Sequence, residues 1–232
     1  MALPVSAMFA QDLPGSSYSR VYSFSFMGEY SNDSSHIVLG RSENRKIGAI
    51  GFQYQRRVLH SRFVDLSYTA EARPAMIESD PTDQLTYFLN SPVQSQYIGP
   101  EAVTKCLPGT FTIDEDGGAL QGYVVSVCSR QKTFTEGLSP FGFRLSFLTG
   151  HRLQPVFSNY EGYMFAAHAV PIPQAGAFNF TFEFGTGLEW YLSHRKSVRL
   201  EYALQHFSNK DSAEENPGVD SGFIKLTYSF GR

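Results

Sequence analysis

Three side chains near the C-terminus have the types and spacing for ester chemistry. His206 and Ser208 lie two residues apart in an alternating segment, so they share one face of a strand, where local twist can bring them within hydrogen-bond reach. A neutral imidazole beside a serine accepts the hydroxyl proton as the oxygen attacks a carbonyl. A third group must orient the ring and stabilise its protonated form. Asp220 stands at the start of the next strand, and a hairpin would return it toward His206. The loop between them holds Asn209, Asn216 and Gly218, each with a donor that an oxyanion can use. Taken alone, the same pattern also describes a girdle histidine and a turn hydroxyl, so the surrounding elements have to be weighed.

Those elements are strands. In residues 178–192 the even positions read Phe178, Phe180, Phe182, Phe184, Thr186, Leu188, Trp190 and Leu192, while the odd ones are polar or small and include Glu183 and Glu189. This period of two recurs around Tyr22–Phe24–Phe26, Ile50–Phe52–Tyr54, Val64–Leu66–Tyr68, Phe141–Phe143–Leu145, Val198–Leu200–Tyr202 and Ile224–Leu226–Tyr228. A run at 156–164 is strand-like with mixed faces, which makes the expected strands eight. Their connections alternate between short turns, near His60, Gly150 and His194–Arg195, and long segments at 31–46, 73–139, 167–177 and 209–220. The expected fold is all-β: an eight-stranded antiparallel transmembrane β-barrel with long extracellular loops. A soluble barrel would turn the apolar face inward. Here the bulky aromatic face suits lipid, and the small polar face of both charge signs suits a filled lumen.

Composition agrees. Aromatic residues make up 15% of the 232 residues, with 20 Phe and 13 Tyr, as the girdles of a membrane barrel require. No apolar stretch is long enough for a transmembrane helix. A net charge of −3 without long basic runs argues against nucleic acid as a partner. Residues 1–15 read as the tail of a secretory signal or a disordered arm, and 16–232 as one barrel domain with a long loop at about 73–139. Within that loop Cys106 and Cys128 form a disulfide in an oxidising compartment or stay as buried thiols, and a run at 120–127 either makes a separate hairpin or extends a barrel strand. His168, His194, Glu214 and Glu215 read as solvated, the acidic pair alternatively sharing a divalent ion with lipid phosphates, and neither a zinc-ligand spacing nor a glycine-rich phosphate loop is present.

The run Glu201-Tyr202-Ala203-Leu204-Gln205-His206-Phe207-Ser208-Asn209, followed by Asn216-Pro217-Gly218-Val219-Asp220, closely resembles the signature of the PagL-like lipid A 3-O-deacylases: His-x-Ser-Asn, then Asn-x-Gly, then an acid before the last strand. The resemblance implies an eight-stranded barrel in the outer membrane of a Gram-negative-type bacterium. It implies a serine esterase with an exterior triad that removes the 3-O-linked acyl chain of lipid A from lipopolysaccharide, with no metal and no cofactor. Ser208 is then the nucleophile, His206 the general base, Asp220 the acid in place of the family glutamate, and Asn209 the oxyanion residue. Tyr202, Leu204, Ile224 and Leu226 become walls of a substrate groove, although each is also an ordinary lipid-facing residue. The aspartate, one methylene shorter, and the cysteine-bearing loop depart from the pattern. The alternatives are a phospholipid esterase and a non-catalytic barrel whose long loop has a binding or structural role. The sequence holds no signal of oligomeric state.

Overall fold

The computed structural model describes residues 18–35, 37–89, 94–114 and 121–232. The N-terminal segment read as a signal remnant or arm, 1–15, lies outside the described residues. Ten strands run along the chain: β1 (Tyr22–Ser31), β2 (Lys46–His60), β3 (Val64–Leu89), β4 (Gln94–Ala102), β5 (Gly109–Asp114), β6 (Gln121–Phe147), β7 (Leu153–Ala166), β8 (Phe178–Ser193), β9 (Lys196–Ser208) and β10 (Val219–Gly231). Eight of them, in the order β1-β2-β3-β6-β7-β8-β9-β10, close into an antiparallel ring when β10 pairs back onto β1. Closure leaves the barrel wall without an unpaired edge, which the interior of a bilayer demands.

Residues 73–139 are mostly strand rather than irregular connection. β3 and β6 continue past the barrel as one ladder, from Val64↔Phe147 to Leu89↔Gly122. β4 then pairs with the outer part of β3 and β5 with that of β6, so a four-stranded sheet stands above the barrel in the order β4-β3-β6-β5. Of the run at 120–127, residues 121–127 are described and extend a barrel strand. A disulfide joins Cys106 to Cys128 and ties the segment between β4 and β5 to β6.

The two faces of the wall separate as the alternation predicts. Phe26, Phe52, Phe180, Trp190, Leu200, Ile224 and Leu226 point outward and are exposed, forming an apolar band. Their neighbours point inward and are almost all polar. At mid-height Lys225 Nζ lies 2.8 Å from both Glu71 and Glu183, while Arg73 reaches Glu29 at 2.7 Å and Glu71 at 2.6 Å. On neighbouring turns of the wall Arg199 pairs with Glu201 at 2.5 Å and Arg20 with Glu189 at 2.5 Å. The lumen is a packed ionic core and not a pore. Toward the loop end this core gives way to an apolar plug that includes Ile47, Met76, Met164, Val170, Phe207, Val219 and Phe223.

Removing one member of a buried ion cluster strands its partners without solvent. Lys225→Met should leave Glu71 and Glu183 facing each other and cost about 3–5 kcal/mol. The check is a lower urea midpoint for unfolding in detergent micelles, read from loss of the compact, heat-modifiable form.

Candidate active site

The last hairpin positions the candidate residues. In the β9–β10 register Phe207 faces Val219 and His206 faces Asp220. Phe207 and Val219 are both fully buried in the apolar plug. Because successive side chains of a strand point to opposite faces, burying that pair forces His206 and Asp220 onto the exterior, directly across from each other. Ser208 follows on the same face as His206, beside Phe180 of β8.

His206 Nδ1 lies 2.6 Å from Asp220 Oδ1. The carboxylate is buried although it lies on the outer face, because the β1–β2 loop is laid over it. Ser35 N donates to Asp220 O, and Arg41 N donates to Pro217 O at 2.7 Å. Between these anchors the loop curls so that four consecutive backbone N–H groups, of Ile37, Val38, Leu39 and Gly40, all donate to Asp220 Oδ2 at 3.1, 2.5, 2.9 and 2.9 Å. One carboxylate oxygen is thus held by main chain and the other is left for the imidazole. Such a set of donors strongly favours the ionised carboxylate. The fit leaves no space: a Cβ on Gly40 would stand 2.5 Å from Asp220 N and 2.9 Å from its Cγ. On the other side Gly218, at φ +57°, lets the β9–β10 loop turn against the ring, where a Cβ would meet His206 Cε1 at 3.0 Å.

With Nδ1 engaged by Asp220, the nitrogen left for chemistry is Nε2. Ser208 is half-buried on the same strand face, and no hydrogen bond joins its hydroxyl to the ring among the described residues. Catalytic bonds are commonly long before substrate is bound. Asn209, next in the chain, does not present its amide to this face. Its Nδ2 donates to Ala175 O and to Glu215 O, and its Oδ1 accepts from Asp211 N. It clamps the loop that follows β9, so the oxyanion role expected of its side chain has no free donor here.

The cleft beside the imidazole draws mostly on other residues than those expected as groove walls. Beside His206 and Asp220 a narrow cleft is walled by Ile37, Val38, Phe182, Phe184 and Leu204. Of the four residues expected as groove walls only Leu204 belongs to it. Tyr202 and Ile224 line a separate recess with Tyr30 and Ile37 on the β10 side, and Leu226 lies below, on the apolar band. The difference arises because the β1–β2 loop covers β10 and leaves β8 open. Phe182 and Phe184 carried a signal, their place in the aromatic face of β8, but nothing distinguished them from their lipid-facing neighbours.

The geometry thus combines a hydroxyl, an imidazole oriented by a main-chain-clamped carboxylate, and an apolar cleft, all on the outside of a barrel at its loop end. The family model described as lipid A 3-O-deacylase (PagL) matches residues 115–230. Among solved structures, the outer membrane enzyme PagL aligns with a TM-score of 0.52 over 91% of this chain and 99% of its own, at 12% identity, a likeness of fold. Neisserial surface protein A aligns at 0.46 and 10% identity, over 91% of this chain and 96% of its own. OprG from Pseudomonas aeruginosa aligns at 0.35 and 9% identity, over 93% and 99%. No curated protein matches in sequence.

The clamp on Asp220 makes a prediction independent of any reaction. A charged hydrogen bond contributes about 1.5–3 kcal/mol, and 1.4 kcal/mol is tenfold in an equilibrium. Asp220→Ala should speed amide hydrogen exchange at residues 37–40 by at least about tenfold, with exchange in the lower barrel unchanged.

Proposed function

This chain belongs to the lipid A 3-O-deacylase (PagL) family of outer-membrane β-barrels, and from that premise we propose that it hydrolyses the ester of the 3-O-linked acyl chain of lipid A, with Ser208 as nucleophile, His206 as general base and Asp220 as the orienting acid. The observation that carries the assignment is the 2.6 Å contact between His206 Nδ1 and Asp220 Oδ1 on the outer face, beside the cleft of Phe182, Phe184 and Leu204.

In the proposed reaction His206 Nε2 takes the Ser208 proton as Oγ attacks the ester carbonyl. The tetrahedral adduct collapses by breaking the bond to the sugar oxygen, which receives the proton from Nε2. The acyl chain is left esterified to Ser208. Water then attacks the acyl-enzyme with the same imidazole as base, releasing the fatty acid and restoring the hydroxyl. Asp220 stays ionised throughout and stabilises the imidazolium by charge and by fixing the ring. Asn209 serves in this scheme by holding the β9–β10 loop in place beside Ser208.

An exterior site suits this substrate. The ester lies just below the headgroups of the outer leaflet, so a site on the wall at the loop end meets it by lateral diffusion. The apolar cleft takes the start of the acyl chain, and the lipid never has to leave the bilayer.

The test is mass spectrometry of lipid A from a bacterium producing the protein. Loss of one 3-hydroxyacyl group is expected, and Ser208→Ala or His206→Ala should reduce turnover by at least about a thousandfold at equal levels of folded barrel. Unchanged lipid A with the wild-type barrel folded and inserted would sink the assignment, and release of non-hydroxylated fatty acid instead would redirect it to phospholipid. A sharper prediction concerns the acid. Asp220→Glu restores the family residue, yet the longer side chain has no space beneath Gly40. Activity should fall roughly ten- to hundredfold through misplacement of the ring.

A further inference from the structure

At the end of the barrel opposite His206 the exposed charged side chains, histidines aside, are of a single sign among the described residues. The three short turns and both ends of the described chain meet there, and they expose Arg56, Arg62, Arg152, Arg195, Lys196 and Arg232. The carboxylates of this end, Asp65 and Glu189, are both buried and paired, with His60 and Arg20. Among the described residues every exposed acidic or basic side chain on this rim other than histidine is therefore a cation. The rest of the surface mixes both signs, so the segregation is local.

Three of these cations converge on one groove. Arg195, Lys196 and Arg232 line it together with Tyr22, Phe24, Phe230 and Gly231. The floor is main chain held in register: Gly231 N donates to Arg195 O at 2.9 Å, and Tyr22 and Arg232 exchange backbone hydrogen bonds at 2.9 and 3.0 Å. Gly231 permits that closeness, since a Cβ there would lie 2.0 Å from Tyr22 O. The rings of Phe24 and Phe230 are 6.3 Å apart and run up the outer wall toward the apolar band. None of the three cationic side chains has an ion-pair partner among the described residues. Arg62 and Arg152, by contrast, lie against the rings of Phe63 and Tyr18.

Cations at the foot of an aromatic wall, at the level where a bilayer changes from hydrocarbon to headgroup, match an amphiphile with an anionic head. We propose that this groove binds an anionic phospholipid of the periplasmic leaflet, its phosphate between Arg195, Lys196 and Arg232 and one acyl chain along Phe24 and Phe230. The site lies in the leaflet opposite the proposed ester chemistry and is independent of it. Attraction of the leaflet to one end of the barrel also fixes the depth of the wall in the bilayer, and with it the height of His206 at the other surface.

The experiment is native mass spectrometry of the folded barrel released from micelles that contain phosphatidylglycerol and phosphatidylcholine of matched chains. The wild-type protein should retain phosphatidylglycerol at least about tenfold over phosphatidylcholine, from three cations near a surface. The combined variant Arg195→Gln, Lys196→Gln and Arg232→Gln should fall to the phosphatidylcholine level, while Lys132→Gln with Lys210→Gln, at the loop end, should keep the preference. If the combined variant fails to fold, Arg232→Gln alone, at the exposed chain end, should show a partial loss. Equal retention of the two lipids by the wild type, or equal loss in the loop-end variant, would overturn the site. Complete displacement of the lipid by inorganic phosphate would also overturn it, since the cations would then serve a free anion.

Discussion

The burial of Phe207 against Val219 is the contact on which the outer surface of this barrel depends. Both side chains are lost in the apolar plug, and the pleat does the rest: His206 and Asp220 are one residue away on their strands and must face outward as a pair. A slip of one residue between β9 and β10 would reverse every inward and outward assignment on β10. It would put Lys225 into the hydrocarbon and take it from the three carboxylates it balances, Glu29, Glu71 and Glu183. Register at the site is therefore enforced twice, by an apolar pair beside the imidazole and by an ionic cluster lower in the wall.

The filled lumen makes such a site workable. A His–Asp pair on the outside of a wall has no second wall behind it, so the strands themselves must be rigid. Arg73 and Lys225 each bridge strands that are not neighbours in the ring, as when Arg73 of β3 meets Glu29 of β1 and Glu183 of β8. These pairs carry large desolvation costs, and their net contribution to stability is small. Their value is geometric, because a cluster in which each charge needs several partners has few arrangements that satisfy all of them.

Much of this was legible in the amino-acid order. A membrane barrel writes its two environments into alternate residues, and seven of the eight ring strands were visible as aromatic or aliphatic residues spaced by two; β7, whose burial pattern is irregular, showed only mixed faces. The approach of His206 to Asp220 followed from antiparallel pairing of the last two strands, which returns the start of β10 to the end of β9 even across the long 209–220 connection. What was not legible lies above the membrane. There both faces of a strand meet water or protein, the period of two fades, and residues 73–139 read as a loop although β3 and β6 continue through them. Nor did the sequence mark Ile37-Val38-Leu39-Gly40 as the clamp on Asp220. The donors are backbone N–H groups, which every residue other than proline has, and only Gly40 carries a trace of the constraint in its missing side chain.

That clamp links two parts of the site that look separate. Ile37 and Val38 form one wall of the cleft beside His206, and their own N–H groups hold Asp220 Oδ2. Any apolar chain lying in the cleft would thus touch the same residues that fix the carboxylate on the other side. Val38 and Leu39 are 65% and 72% exposed, an arrangement unfavourable in water and favourable against lipid. In a membrane the bilayer supplies the missing apolar contact. The loop is thus anchored by the anion of Asp220 on one side and offers an apolar surface to hydrocarbon on the other.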